Sequence, residues 1–304
     1  HNKPLAECNL QFCVGEPYFD LSSRGLSGSI PSILGSMYWS LSSINLEGNE
    51  LTGTIPPSLG SLDRLAADLK LGDNDLSGTL PPSLGSLTQL VKTLRAHDNY
   101  NIRGKIPPSF GSLTSLTKSL QFHGTSVTGT LPGSLVHLTA LTRHLSFNGS
   151  VVSGTVPRWL GSMTTLSAQL NLADTRVNGA LPSSLGSMTA LRALRIDHNS
   201  LSGPIPPSLG SMAALTDLAL NECQLTGSLP PSLGSLTNLK ATLQLGGNNF
   251  DGDFPPELCN VLDNLDDGGC DFTGASAIYL LSVFGGLKHT VLKSAPRFAA
   301  DERD

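Results

Sequence analysis

Two histidines stand at matching places in two similar segments of the sequence, His97 in LRAHDN and His123 in LQFHGT. If each segment forms a short strand of one parallel sheet, the two side chains lie about 5 Å apart. Asp98 follows His97, so a metal site or an acid–base pair is one interpretation. No third ligand is evident beside the pair, and repeated chains place like residues at like positions. We therefore predict solvated surface histidines, with no metal and no catalytic residue.

Sequence signatures of common enzymes are missing from the chain. It has no phosphate-binding loop, no G-x-S-x-G nucleophile elbow, no H-E-x-x-H helix and no paired C-x-x-C motif. Serine and histidine are abundant, but their spacing builds no catalytic triad. We predict a protein that is not an enzyme and needs no cofactor.

The elements that would position these side chains follow from an internal repeat. Residues 191–212, LRALRIDHNSLSGPIPPSLGSM, are one copy of a unit whose glycine recurs every 22 to 26 residues. A period in the twenties with the pattern L-x-x-L-x-L-x-x-N-x-L is the signature of a leucine-rich repeat. The predicted fold is an α/β leucine-rich-repeat solenoid with a parallel concave sheet and short 3-10 or α turns on the convex side.

Within one unit, the alternation at residues 194–196 predicts a short strand with leucines turned inward and polar residues turned outward. The residue at the asparagine position can satisfy backbone groups that the following turn leaves unpaired. We call these residues the ladder. They are Asn49, Asn74, Asn99, Thr125, Ser150, Thr175, Asn199, Cys223 and Asn248.

The run L-x-x-N-x-L-S/T-G-x-I/L-P-P-S-L-G-S-L resembles the plant-type leucine-rich repeat of receptor-kinase ectodomains and polygalacturonase-inhibiting proteins. This resemblance implies a right-handed twisted superhelix with a second short sheet at the L-S-G-x-I-P segment. Three middle repeats also resemble kinetoplastid surface antigens, in which threonine takes the ladder place. They are HGTSVTGTLP, NGSVVSGTVP and ADTRVNGALP.

The repeats divide the chain into three parts. Residues 1–17 are predicted to be an N-terminal cap, 18–274 to hold about eleven repeats, and 275–304 to be a C-terminal tail. Apolar residues recur in the tail at helical spacing and are candidates for docking on a partner. They are Ile278, Leu281, Phe284 and Leu287.

Cysteine usage points to an oxidising compartment. Cys8 and Cys13 precede the first repeat, whereas Cys259 and Cys270 lie in the last one, and they resemble the cysteine pairs that cap such solenoids. Two disulfides there indicate an extracellular, cell-surface or secretory-lumen protein. Cys223 occupies a ladder position and is interpreted as a buried thiol. Asn148 begins the sequon NGS and is a candidate glycosylation site.

Charge and composition limit the partners. The net charge is −5, only 14% of the residues are charged and 5% are aromatic. The chain has no basic stripe, so nucleic acid is not expected as a partner. Its longest apolar run, at 277–287, is too short to span a bilayer.

Outward strand positions are where a concave sheet would bind a ligand. The candidate ligand-binding residues are Arg95, His97, Asp98, Gln121, His123, Asn171, Asp174, Arg195, Asp197 and His198. Asp174, Arg195 and Asp197 are interpreted as a surface charge cluster.

Two functions remain open from the sequence. The first is a non-enzymatic interaction scaffold built as a structural subunit into a larger assembly, which the tail favours. The alternative is a reversible recognition, adhesion or inhibitor protein that binds a carbohydrate or a protein.

The ladder predicts a measurable loss of stability. Asn199→Ala should lower the free energy of unfolding by about 1–3 kcal/mol, because backbone groups in the turn lose their partner. Thermal and denaturant unfolding measure this loss, with His97→Ala as a surface control that should be nearly neutral. An unchanged melting temperature for Asn199→Ala would contradict the ladder assignment.

Overall fold

The computed structural model describes residues 3–4, 18–36 and 41–262. Its main feature is a concave sheet of ten parallel strands of three residues each, in which every strand pairs with the strand one repeat away. With β1 at Lys3–Pro4, these strands are β2 (Tyr18–Asp20), β4 (Ser43–Asn45), β6 (Asp68–Lys70), β8 (Thr93–Arg95), β10 (Ser119–Gln121), β12 (His144–Ser146), β14 (Gln169–Asn171), β16 (Ala193–Arg195), β18 (Asp217–Ala219) and β20 (Thr242–Gln244).

A second row of parallel strands follows the ladder residues. β1, β3 and β5 form one sheet, the remaining strands form an eight-stranded sheet, and a bridge between Thr54 and Ser77 lies between the two. The strands are β3 (Leu26–Ser29), β5 (Glu50–Thr52), β7 (Ser77–Thr79), β9 (Asn101–Lys105), β11 (Ser126–Gly129), β13 (Val151–Thr155), β15 (Arg176–Gly179), β17 (Ser200–Gly203), β19 (Gln224–Gly227) and β21 (Asn249–Phe250). This is the second sheet that the plant-type resemblance implied.

The convex side consists of short 3-10 turns and, at its end, a one-turn α-helix, α1 (Cys259–Leu262). Pro at the start of several turns sets φ and lacks the N–H that a first helical turn leaves unpaired. The 3-10 turns are Ser32–Ser36, Pro57–Ser61, Pro82–Ser86, Pro108–Ser112, Gly133–His137, Arg158–Ser162, Ser183–Ser187, Pro207–Ser211, Pro231–Ser235 and Pro256–Leu258. The predicted leucine-rich-repeat solenoid is therefore confirmed.

Leucines from successive coils fill one continuous core between the three faces. In its middle, Phe110, Phe122 and Phe147 are fully buried and stack with centroid separations of 5.7 and 6.0 Å. Offset aromatic stacks of this kind add to the burial of apolar area. Since each coil is covered only by its neighbours, stability is close to a sum of nearest-neighbour contacts.

The ladder residues bond the turn that joins the two sheets. In the buried Asn74, Oδ1 accepts a hydrogen bond from the Leu51 backbone at 3.0 Å, and Nδ2 donates to carbonyls that include Gly72 at 2.9 Å. Asn199 also donates to three carbonyls and accepts from Val177 N–H. The Thr125 hydroxyl donates to one carbonyl, and the Cys223 thiol lies 3.6 Å from the Ile196 oxygen. A hydroxyl or thiol thus replaces only part of the amide's bonding.

The convex turns contain a second ladder, made of glycine and serine. The Ser83 hydroxyl donates to the Pro57 carbonyl of the preceding coil at 2.6 Å, and Ser109 repeats this contact with Pro82. A Cβ on Gly85 would lie 2.4 Å from the Ser109 oxygen, and most coils have a glycine in the same position. Backbone packing therefore accounts for the repeated glycine of these turns and for the serine two residues before it.

One coil departs from this pattern, and its neighbour departs with it. Val136 takes the glycine position in the turn Gly133–His137, and Trp159 takes the serine position in the next turn. Trp159 is partly buried against the core. Where a side chain prevents the close backbone contact, a large aromatic side chain occupies the corresponding place on the next coil.

Several sequence predictions fall on residues outside the described ranges. These are the cap cysteines Cys8 and Cys13, Cys270, and the tail positions Ile278, Leu281, Phe284 and Leu287. Both disulfides and the docking role of the tail remain predictions. Cys223 is a buried free thiol, and burial raises its pKa.

The convex ladder predicts opposite outcomes for two alanine substitutions in equivalent turns. Gly85→Ala should destabilise the chain by about 1–3 kcal/mol, because its Cβ overlaps rigid backbone. Gly133→Ala is the matched control: a Cβ there meets nothing within 4 Å, so alanine should be neutral or slightly stabilising. Urea unfolding of both variants measures the difference, and equal effects would contradict the packing argument.

Candidate functional site on the concave sheet

Side chains on the concave side form three parallel rows. The first row contains the first residue of each strand, the second row contains the third residue, and the third row lies two residues beyond the strand. Because the middle residue of each strand is buried, alternation turns the first and second rows outward. In the parallel register, each row places equivalent residues of successive repeats side by side.

The residue after the third row has a left-handed backbone in all ten repeats. Glycine occupies this position in four repeats, and the other six residues have φ between 50° and 53°. They are Ser23, Asp73, Asp98, Asp174, His198 and Glu222. A left-handed conformation is unfavourable for a residue with a Cβ, and such residues cluster at functional sites. Five of the six carry a titratable side chain, so the edge of the concave sheet is rich in charge.

The two histidines singled out from the sequence lie together in the third row. The ring centroids of His97 and His123 are 4.6 Å apart, in agreement with the spacing expected of neighbouring strands. Nε2 of His123 lies 3.7 Å from Oδ2 of Asp98, and Nε2 of His97 lies 3.6 Å from Oε1 of Glu47. Arg95 lies 3.9 Å from the same Glu47 oxygen. These five residues are called the histidine cluster below.

The structure supplies the third potential ligand that the sequence did not make evident. A ring nitrogen of each histidine and a carboxylate oxygen of Asp98 lie within 4.8 Å of one another. All three side chains are half-buried. Of the described residues, these three alone bring together three potential ligands in this way.

Hydrogen bonding in the histidine cluster is incomplete. Among the described residues, six buried side-chain nitrogen or oxygen atoms have no hydrogen-bond partner. Four of them belong to the cluster: Oε1 of Glu47, Nε of Arg95 and Nδ1 of both histidines. Buried polar atoms without partners are rare in folded proteins, so these four atoms are candidates for contact with a bound group.

A second group of charges lies at the other end of the sheet. Arg195 donates from Nε to Oδ2 of Asp217 at 2.7 Å, and its second contact with that oxygen, from a terminal nitrogen, is 2.5 Å. Thr242 donates to the other Asp217 oxygen. Asp197 lies 3.0 Å from Nδ1 of His198. The direct partner of Arg195 is therefore Asp217, rather than Asp174 or Asp197, with which sequence reasoning grouped it.

The other predicted site residues lie between these two groups. Gln121 and Asn171 occupy the second row, and Asn171 already accepts a hydrogen bond from Ala173 N–H. Asn148 lies in the third row and accepts from the Ser146 hydroxyl, while Ser150 of its sequon is buried. Glycosylation of Asn148 remains a prediction.

Sequence reasoning missed the contribution of the first row. Asp217 and His144 were not among the candidates, although Asp217 binds Arg195 and His144 contacts Ser119 at 3.1 Å. The signal was present, because strict alternation assigns the first residue of each strand to the same face as the third. Glu47 was not among the candidates either, because its contact with His97 joins strands that are two places apart in the sheet.

Histidine protonation differs along the sheet. Burial lowers the pKa of His123, and the nearby His97 lowers it further. Burial also lowers the pKa of His144, with a contribution from Arg95. The hydrogen bond to Asp197 raises the pKa of His198.

Carboxylates outnumber basic groups on the concave side. Nine carboxylates occupy the three rows and the left-handed position, against three basic side chains, Lys70, Arg95 and Arg195. The acidic residues are Asp20, Glu47, Asp68, Asp73, Asp98, Asp174, Asp197, Asp217 and Glu222. The sheet therefore presents a negative potential to a ligand, with uncharged residues between two charged ends.

Comparison with known proteins agrees with this geometry. The family model described as Leucine Rich Repeat matches residues 40–62, 190–212 and 214–236. These matches identify leucine-rich repeats in three segments of the chain. No curated protein matches it. None of the helices in the described residues is long and apolar enough to cross a membrane.

Solved ectodomains of plant receptors are similar to the chain. The plant peptide hormone receptor RGFR1 has 32% identity and a TM-score of 0.73, and the match covers 82% of this chain and 44% of that one. The Arabidopsis receptor kinase HAESA has 35% identity, a TM-score of 0.72 and coverages of 82% and 40%. A TDR receptor has 28% identity, a TM-score of 0.73 and coverages of 82% and 41%. This chain therefore spans less than half of each ectodomain.

The pKa shifts predict the order in which the histidines titrate. In an NMR titration, the ring signals should give His198 a pKa above the ordinary value of about 6.5 and His144 a pKa below it. Asp197→Asn should lower the His198 value, whereas Asp63→Asn, on an exposed convex turn, should not. Because the folded pKa of His198 is raised, its stabilising effect is present below about pH 6.5 and is lost as the pH rises through the folded pKa. Titration of His198 at or below the ordinary value would contradict the assigned contact.

Proposed function

We propose that the concave sheet reversibly binds an extended peptide that carries basic side chains. The observation that carries this proposal is the excess of carboxylates over basic side chains on the concave side, nine against three, grouped toward the two ends of an open sheet. An extended basic peptide has the opposite charge, which favours both encounter and specificity.

The dimensions of the sheet suit a peptide. Nine steps between its ten strands, at about 4.8 Å each, give a length of about 43 Å. An extended peptide advances about 3.3 Å per residue, so roughly 13 residues span the sheet. A ligand of this length can reach the acidic groups at both ends and the uncharged residues between them.

The similar receptors support the same class of ligand. RGFR1 was solved in complex with RGF2, and HAESA in complex with a peptide hormone ligand, IDA. For this chain, peptide binding is inferred from the shared fold together with its own charge pattern. An extracellular location is part of the proposal, since those proteins are receptor ectodomains.

Reversible binding is preferred to the structural-subunit role that the sequence favoured. The subunit role was favoured by the tail at 275–304, which lies outside the described residues, together with the sparse charge and the lack of aromatic residues on the concave face. A carbohydrate is the second ligand class expected from the sequence, but no contact or charge on the concave sheet favours it over a peptide.

Selection from a random library of displayed 13-residue peptides tests the proposal. The purified chain should enrich sequences rich in lysine and arginine, and synthetic copies of these should bind with an affinity that falls as salt is added. A glycan array screened in parallel tests the carbohydrate alternative. Selection of neutral or acidic peptides, or binding of glycans alone, would overturn the proposal.

Variants on the two faces locate the binding surface. Asp174 and Glu222 are both exposed on the concave edge. The double variant Asp174→Asn and Glu222→Gln should lower the affinity for a selected peptide by about tenfold, because two attractive charges are lost. Asp63→Asn and Glu257→Gln remove the same charge from convex turns and should leave its affinity unchanged. Titration calorimetry measures both, and equal losses would place binding elsewhere.

A further inference from the structure

We propose that His97, Asp98 and His123 bind one divalent transition-metal ion of the zinc class. Two imidazoles and one carboxylate are a ligand set typical of such ions, since imidazole suits zinc, copper, nickel and iron. Asp98 is also one of the carboxylates counted on the concave side, but metal binding depends on the closeness of the three ligands and not on the excess of charge.

The distances are close to those of a metal site. The three ligand atoms lie within 4.8 Å of one another, and His123 and Asp98 approach to 3.7 Å. In a tetrahedral zinc site with bonds of about 2.1 Å, ligand atoms are separated by about 3.4 Å. Half-buried side chains can close the remaining distance of about 1 Å by small rotations. The 3.7 Å separation itself is too long for a hydrogen bond.

The unpartnered atoms give independent support. Nδ1 of His97, Nδ1 of His123 and Oε1 of Glu47 are buried without a hydrogen-bond partner. Each such atom destabilises the fold unless something binds there. A metal ion bound to the two histidines would re-orient both rings, so that these unpartnered atoms could contact the ion or a polar neighbour.

The charges around the site are balanced. Asp98 and Glu47 supply two negative charges, which match the charge of the ion. Glu47 lies 3.6 Å from Nε2 of His97 and is placed to orient that ring, as outer carboxylates commonly do at zinc sites. Arg95 opposes a cation, and its contact with Glu47 at 3.9 Å moderates that effect.

Two glycines leave the space that the ligands occupy. A Cβ on Gly72 would overlap the His97 ring, with Nδ1 only 1.9 Å away. A Cβ on Gly124 would lie 2.2 Å from an oxygen of Asp98. Gly72 precedes His97 in the third row, and Gly124 follows Asp98 in the left-handed position. Because neither glycine has a side chain, the His97 ring can pack directly on Gly72 and the Asp98 carboxylate on Gly124.

Three protein ligands leave a fourth coordination position open, as in zinc sites that bind a further group. Because the cluster lies on the concave sheet, that position would be available to a water molecule or to a carboxylate or imidazole of a bound molecule.

Zinc binding to the isolated chain tests the proposal. After removal of metals with EDTA, titration calorimetry with zinc chloride should give one site per chain, and zinc should raise the melting temperature. His97→Ala and His123→Ala should each lower the affinity at least about tenfold and abolish the thermal shift. Cobalt should give the visible absorption of a tetrahedral site in the unmodified chain only.

Further variants separate the site from general effects. His137→Ala, an exposed histidine on a convex turn, should leave the affinity unchanged. Gly72→Ala should weaken zinc by displacing the His97 ring, and Arg95→Gln should strengthen it several-fold by removing a like charge. If His97→Ala fails to fold, His123→Gln is used as the test variant in its place, because it preserves the size of the side chain. Absence of zinc binding, or equal binding by the unmodified chain and His123→Gln, would overturn the proposal.

Discussion

Each coil of this solenoid is closed by the next coil, and on the convex side that closure depends on contact between backbones. The glycine near the end of these turns, such as Gly85, lies where a Cβ would come within 2.1–2.4 Å of a carbonyl oxygen on the following coil. The serine two residues before it, such as Ser83, donates its hydroxyl to the preceding coil. Where Val136 replaces the glycine, the larger Trp159 takes the corresponding place on the next coil, and the leucines of both turns stay buried. Packing of the core and pairing of both sheets depend on this spacing.

The ladder meets the same requirement on the other side of the core. Buried asparagines such as Asn74 bond backbone groups of their own turn and of the preceding coil. Polar backbone enclosed in an apolar column would otherwise destabilise the fold. The ladder can vary to threonine, serine or cysteine, because neighbouring coils share the bonding, as when Thr175 donates to Asn199.

With the core and turns constrained in this way, chemical variety is confined to the concave rows. There, exposed side chains such as Arg195 and Asp174 can change with little effect on packing, whereas Thr93 and Ser119 in the first row are buried. The chain has used this freedom to place most of its concave charge at two ends of the sheet, around His97 and around Asp197. The negative potential follows from the sum of these residues, whereas the histidine cluster depends on particular contacts between three repeats. Peptide binding and metal binding therefore rest on different features of one surface.

The sequence by itself determined the solenoid, its period, its inward leucines and its ladder, because each depends on spacing along the chain. It also placed His97 beside His123, since equivalent residues of adjacent repeats must be neighbours in a parallel sheet. Contacts that cross between rows were decided only by the tertiary structure: Asp217 with Arg195, Glu47 with His97, and Asp98 as a third potential ligand. The reason is that these contacts depend on side-chain length, on the left-handed turn and on the empty space above Gly72 and Gly124. The need for glycine in the convex turns likewise appears only when two coils are brought to backbone contact, a distance that no single repeat specifies.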